Sequence, residues 1–129
     1  MDAQEFQERL ENAVVILRKE LCEIPHDQYT AHLKLQLFRS TTSVALNYAE
    51  AQEASFLRDF VHKTRICLKE VKESQVCARL LQKMCFVDSE GWKAFVSEMN
   101  QIVAMFVSTV KTAFTRLNKE SKKYRFLND

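Results

Sequence analysis

The chain has 129 residues, about one domain's worth, and 47% of them are hydrophobic against 28% charged. A single Gly and a single Pro exclude β-rich and Rossmann-type folds, which need turn and phosphate-loop glycines, and leave an all-α protein. The net charge of +2 is far from that of an obvious nucleic-acid binder, but it is unevenly spread: residues 1–50 carry 5 basic and 8 acidic side chains, residues 51–129 carry 14 and 9.

Four amphipathic segments follow one another. The first runs from about Ala3 to Cys22, with Phe6, Leu10, Val14, Leu17 and Leu21 recurring at helical steps. Pro25 ends it, because the residue before a proline is pushed out of the α region. The second runs from about Gln28 to Ala51 on a stripe of Leu33, Leu37, Val44 and Tyr48, with Leu35, Phe38 and Leu46 outside it. Its centre, Ser40-Thr41-Thr42-Ser43, has poor helix propensity, so packing must enforce the helix there. The third begins near Ser55, read as an N-cap, and runs to about Phe86, with Thr64, Cys67, Val71, Ser74, Ala78 and Leu81 on one face. The fourth starts at Asp88 or Ser89 and continues through Trp92, Phe95, Met99, Ile102, Phe106 and Phe114 to Leu117.

Joined by short loops, these segments predict one antiparallel up-down four-helix bundle over residues 1–129, with 119–129 a basic tail expected to fray. Phe126 and Leu127 are the tail residues able to dock on a neighbour. Ala104, Met105 and Val107 widen the apolar stripe of the fourth helix beyond what three neighbours need, which predicts self-association.

No P-loop, H-E-x-x-H, G-x-S-x-G or C-x-x-C is present, so no catalytic residue, cofactor or small-molecule substrate is expected. A di-iron site needs two E-x-x-H motifs inside the bundle. Glu23-Ile-Pro-His26 is broken by Pro25, and Asp59-Phe-Val-His62 has a shorter carboxylate, so no metal is expected either. Cys22, Cys67, Cys77 and Cys85 read as reduced, mostly buried thiols. The acidic Met1-Asp2-Ala3-Gln4-Glu5 is unlike a secretory leader, and no apolar run approaches ~18 residues, which predicts a cytoplasmic protein without a membrane span.

Arg39, Ser43, Asn47 and Glu50 are spaced to share one face of the second helix. They form either a solvated stripe or a hydrogen-bonded network across helices or subunits, with Glu73 as a partner for Arg39. The network is the preferred reading, because apolar residues flank the stripe closely.

The segment Gln36-Leu-Phe-Arg39-Ser-Thr-Thr-Ser43-Val-Ala-Leu-Asn47-Tyr-Ala49-Glu50 resembles the signature of the four-helix-bundle family encoded in intervening sequences of bacterial 23S rRNA genes. Asp59-Phe60, Glu73, Asp88-Ser89-Glu90 and Ile24-Pro25 extend the likeness over most of the chain. Ala45 and Ala51 stand where the family has a proline and a glycine. The resemblance implies a bundle that assembles into a ring, typically a homopentamer, without known enzyme activity. It also implies kinship with the accessory variability determinant of diversity-generating retroelements, which works with RNA and a reverse transcriptase.

Two functions are therefore weighed. The first is a non-enzymatic oligomeric module that binds RNA, DNA or a nucleic-acid enzyme such as a reverse transcriptase. Its contacts are expected from Lys111, Arg116, Lys119, Lys122, Lys123 and Arg125, which cluster at the end of the fourth helix. Such binding is expected to be electrostatic, since no aromatic stacking platform is evident. The second is a structural or protein-interaction assembly with no nucleic-acid role, which the modest net charge favours.

Overall fold

The computed structural model describes residues 1–128. Four helices account for nearly all of them: α1 (Ala3–Glu23), α2 (Gln28–Gln52), α3 (Leu57–Cys85) and α4 (Glu90–Asn128). No strand occurs among the described residues. The connections are short, at residues 24–27, 53–56 and 86–89.

Local chemistry sets the helix ends. Asp2 and Glu5 form a capping box at the start of α1, with Asp2 accepting from the Glu5 amide at 2.8 Å. Asp27 caps α2 by accepting from the Tyr29 and Thr30 amides, and these bonds hold its carboxyl below the usual carboxylate range. Ser55 does not cap α3. The capping position is Phe56, whose side chain accepts no hydrogen bond. At α4, Ser89 takes the role, its Oγ accepting from the Trp92 amide at 3.2 Å. Phe86 closes α3 in the left-handed conformation (φ 52°), an uncommon state for an aromatic residue, and its side chain is exposed.

Each helix packs against two others, α1 on α2 and α4, and α3 on α2 and α4, with the diagonals apart. Side-chain pairs step in opposite directions along neighbours. Glu50 meets Lys63 and Gln36 meets Glu73 across α2 and α3, while Gln75 meets Asn100 and Arg65 meets Phe114 across α3 and α4. The central layer is closed, with Leu17, Leu37, Val71, Leu81, Phe95, Ile102 and Phe106 fully buried. Phe6, Tyr48 and Phe106 form an aromatic cluster with centroids 4.9–5.8 Å apart.

The small polar centre of α2 is explained by its neighbour. Ser40 and Thr41 are buried and meet Ser74 of α3, with Ser40 Oγ 2.7 Å and Thr41 Oγ1 3.1 Å from Ser74 Oγ. Both hydroxyls also donate to the Leu37 carbonyl. Each polar atom is satisfied, so small side chains admit a close helix approach without an unpaired group.

The fourth helix is the longest, at 39 residues. Among the described side chains its last buried residue is Ala113, and Asn118 to Lys123 are all exposed. Residues 118–123, nearly two helical turns, therefore extend past the packed body of the bundle. The basic stretch from Lys119 is helical up to Asn128; the side chains of Phe126 and Leu127 lie outside the described residues.

Candidate nucleic-acid interface

Lys111, Arg116, Lys119, Lys122, Lys123 and Arg125 are all exposed on α4. Among the described residues none of them forms a salt bridge. Lys111, Arg116 and Lys119 line one open cleft of about 420 Å³ with Thr112 and Thr115.

Lys111 also belongs to a second cleft, of about 390 Å³, between α3 and α4. Its walls are Arg65, Lys69 and Lys72 from α3, facing Lys111 and Phe114 of α4, over a floor of Leu68, Val107 and Val110. Among the described residues no carboxylate lines either cleft. The Arg65 guanidinium carbon lies 5.8 Å from the centroid of the Phe114 ring, a cation–π placement. Phe114 continues the apolar stripe of α4, yet the structure leaves it 44% exposed. An aromatic surface is therefore present where the sequence alone showed none.

Arg65, Lys69 and Lys72 are the part of this surface that sequence reasoning misses. Their spacing of four and three puts them on one helical face, which is a legible signal. What hides them is the apolar face of α3, which carries the stronger periodicity. Glu70 and Glu73 of the same helix do not line the cleft, although Glu70 feels the charge of Lys69. Glu73 accepts from Gln36 of α2 at 2.8 Å, and Glu70, beside Glu73, has its carboxyl pushed up by burial and by that neighbour.

The polar stripe of α2 divides into local contacts. Asn47 donates to the Ser43 carbonyl and hydroxyl one turn away, at 2.9 and 3.0 Å. Glu50 crosses to α3, pairing with Lys63 at 2.5 Å on the surface. The pairing of Arg39 with Glu73 is not made within the chain. Gln36 takes the Glu73 carboxylate, one turn earlier on α2, and Arg39 is exposed with no side-chain bond among the described residues. The buried polar contacts of this interface are the hydroxyls of Ser40, Thr41 and Ser74, not the stripe.

Elsewhere the chemistry is sparse. Among the described residues no group of three or more His, Cys, Asp or Glu is placed to hold a metal ion, and no helix is long and apolar enough to cross a membrane. Cys67 and Cys77 are buried, Cys85 is half-buried, and Cys22 is exposed. Cys22 ends up outside because it follows Leu21 on the rim of the α1 stripe, one position off its buried face. Burial pushes the Cys67 thiol up to about 12, far from a reactive thiolate.

The chain is similar to a protein of unknown function from the S23 ribosomal protein family of Bacteroides thetaiotaomicron VPI-5482, with a TM-score of 0.75 and 23% identity. The alignment covers 86% of this chain and 99% of that one, and at this identity the likeness is one of fold. No curated protein matches the chain. A family profile described as 23S rRNA-intervening sequence protein matches residues 2–108, so it takes in α1 to α3 and most of the packed part of α4, and ends just before Lys111. With the profile spanning most of the sequence and a solved relative sharing the four-helix fold, the chain belongs to the 23S rRNA-intervening sequence protein family.

Proposed function

We propose that this chain is a non-enzymatic bundle module that associates with copies of itself and holds nucleic acid on the basic surface of α3 and α4. The observation that carries the reading is the shared clefts. Cations from both helices line the cleft between α3 and α4, cations of α4 alone line the other, neither has a carboxylate in its lining, and α4 carries five further basic residues beyond Lys111. Uncompensated cations on adjoining elements suit a phosphate backbone, whose binding is dominated by charge neutralisation.

Self-association is supported by apolar side chains left outside the core. Leu35 and Leu46 on α2 are each more than 60% exposed and eleven residues apart, which places them on one face of that helix. A ring of five, the assembly implied by the family resemblance, would repeat the basic overhang around one rim. Five copies of a +2 chain would bring about +10 to one particle, and multivalent contacts strengthen weak single sites.

A gel shift with structured RNA at low and at raised salt tests the reading. Binding at low salt that disappears as salt rises is the expected result. Absence of any shift at low salt would remove the nucleic-acid role and leave a structural assembly.

A further inference from the structure

The cleft between α3 and α4 offers more than charge. It combines a half-exposed aromatic ring, a guanidinium over that ring, an apolar floor and three lysines at its edges. Phosphate tracking alone requires only the cations. A ring kept 44% exposed beside Val107, itself 47% exposed, adds nothing to phosphate neutralisation beyond its contact with Arg65. It is the element found where unpaired bases lay their π faces on a protein surface.

Resting on the reading that this surface holds nucleic acid, we propose that the Arg65–Phe114 cleft is a base-stacking site selecting single-stranded over duplex nucleic acid. Three observations converge. The Arg65 guanidinium, 5.8 Å from the ring centroid, is a planar cation able both to cover a base and to meet its phosphate. Lys69, Lys72 and Lys111 bracket the ring from both helices, as required for a backbone that passes across it. The cleft, of about 390 Å³, is open to solvent, so an unpaired base can reach the ring. In a duplex the π faces are already stacked on each other and unavailable to Phe114.

The same cleft offers hydrogen-bond donors on flexible side chains and no side-chain acceptor, so it lacks the paired donor and acceptor that read most base edges. Discrimination is therefore by strandedness and stacking strength, with little dependence on sequence. Adenine, which stacks strongly, is held better than uracil.

The test is fluorescence anisotropy on the full chain with labelled oligo(A), oligo(U) and a duplex of equal length, at several salt concentrations. Phe114→Leu keeps apolar bulk and removes the π face, and Phe114→Trp retains it. Far-UV circular dichroism and light scattering establish that both variants keep fold and mass. Phe114→Leu is expected to weaken oligo(A) binding by about 5- to 150-fold, the range for one stacked base, without changing the salt slope. Phe114→Trp is expected to bind as wild type does. Lys69→Gln with Lys72→Gln is expected to lower the slope by roughly 0.7 for each phosphate no longer neutralised. Wild-type affinity in Phe114→Leu, or a duplex bound as tightly as the single strand, would overturn the stacking site while leaving a basic phosphate-binding surface in place. If no nucleic acid binds even at low salt, the broader reading fails and the stacking site falls with it.

Discussion

Ser40 Oγ on α2 lies 2.7 Å from Ser74 Oγ on α3, in a fully buried pairing at the middle of the bundle. This pair explains how a run of poor helix formers survives inside a 25-residue helix. The hydroxyls are satisfied by each other and by the Leu37 carbonyl, and their size lets α2 and α3 come close. Ser74→Ala removes the partner shared by Ser40 and Thr41 but leaves both bonded to Leu37, so a loss of about 0.5–1.5 kcal/mol is expected. Ser74→Leu forces extra volume into the same space and is expected to cost more, about 1–3 kcal/mol. Urea denaturation midpoints measure both.

Gly91, the sole glycine, sits where Glu20 of α1 reaches the start of α4. A Cβ there would overlap the Glu20 carboxylate, which is buried and accepts from Ser89 Oγ at 2.6 Å. Gly91→Ala is therefore expected to destabilise the protein despite alanine's helix propensity. Combined with Glu20→Ala the sign reverses, and the same change is expected to add up to about 1 kcal/mol. A double-mutant cycle showing additive effects would contradict the close approach of Glu20 to Gly91.

Glu70 gives a pH dependence of definite sign. Its folded-state carboxyl is raised, so its favourable contribution is present below the ordinary carboxylate pKa and is lost as pH rises through the raised value. Asp27 behaves oppositely, since its depressed carboxyl contributes above the ordinary value and is lost only as pH falls through the lower one. Mild acidification from neutrality therefore relieves Glu70 while Asp27 is still ionised. Glu70→Gln is expected to stabilise the protein at neutral pH by ~0.2–0.5 kcal/mol, the scale of a like-charge pair one turn apart. That gain is expected to disappear in melting curves recorded at mildly acidic pH.

The cysteines divide by exposure. Cys22 is expected to react promptly with a thiol reagent in the native state. Cys67, buried and with its thiol at about 12, is expected to react only after unfolding. Mass spectrometry of briefly labelled protein distinguishes the two sites.

The helices are legible in the sequence because the apolar spacing of Phe6, Leu10 and Leu17, or Leu37, Val44 and Tyr48, is strongly helical and meets a matching buried face. Less legible is the destination of polar side chains. The sequence suggests Arg39 as the partner of Glu73, and only the helix packing gives that place to Gln36. Apolar periodicity breaks after Leu117, whereas α4 runs on to Asn128, and the exposed polar stretch from Asn118 to Lys123 has no apolar side chain to announce it. Phe114 misleads for a related reason: it stands one position past buried Ala113, on the flank of α4 that also leaves Val107 exposed.

Leu46 tests self-association. It is 67% exposed, so a charged substitution is expected to change monomer stability by no more than about 0.5 kcal/mol. Leu46→Lys with Leu35→Lys is expected to lower the mass seen by light scattering while helix content is retained.

The most direct measurement of the account is the slope of log K against log salt for RNA binding, in the wild type and in Lys119→Gln/Lys122→Gln/Lys123→Gln. Each neutralised phosphate contributes roughly −0.7 to −0.9 to that slope. The wild type is expected to lose affinity steeply with salt, and the variant to show a flatter line with its bundle intact, because these exposed lysines lie beyond the packed body of the bundle. An unchanged slope in the variant would contradict the assignment of nucleic-acid contacts to the basic end of α4.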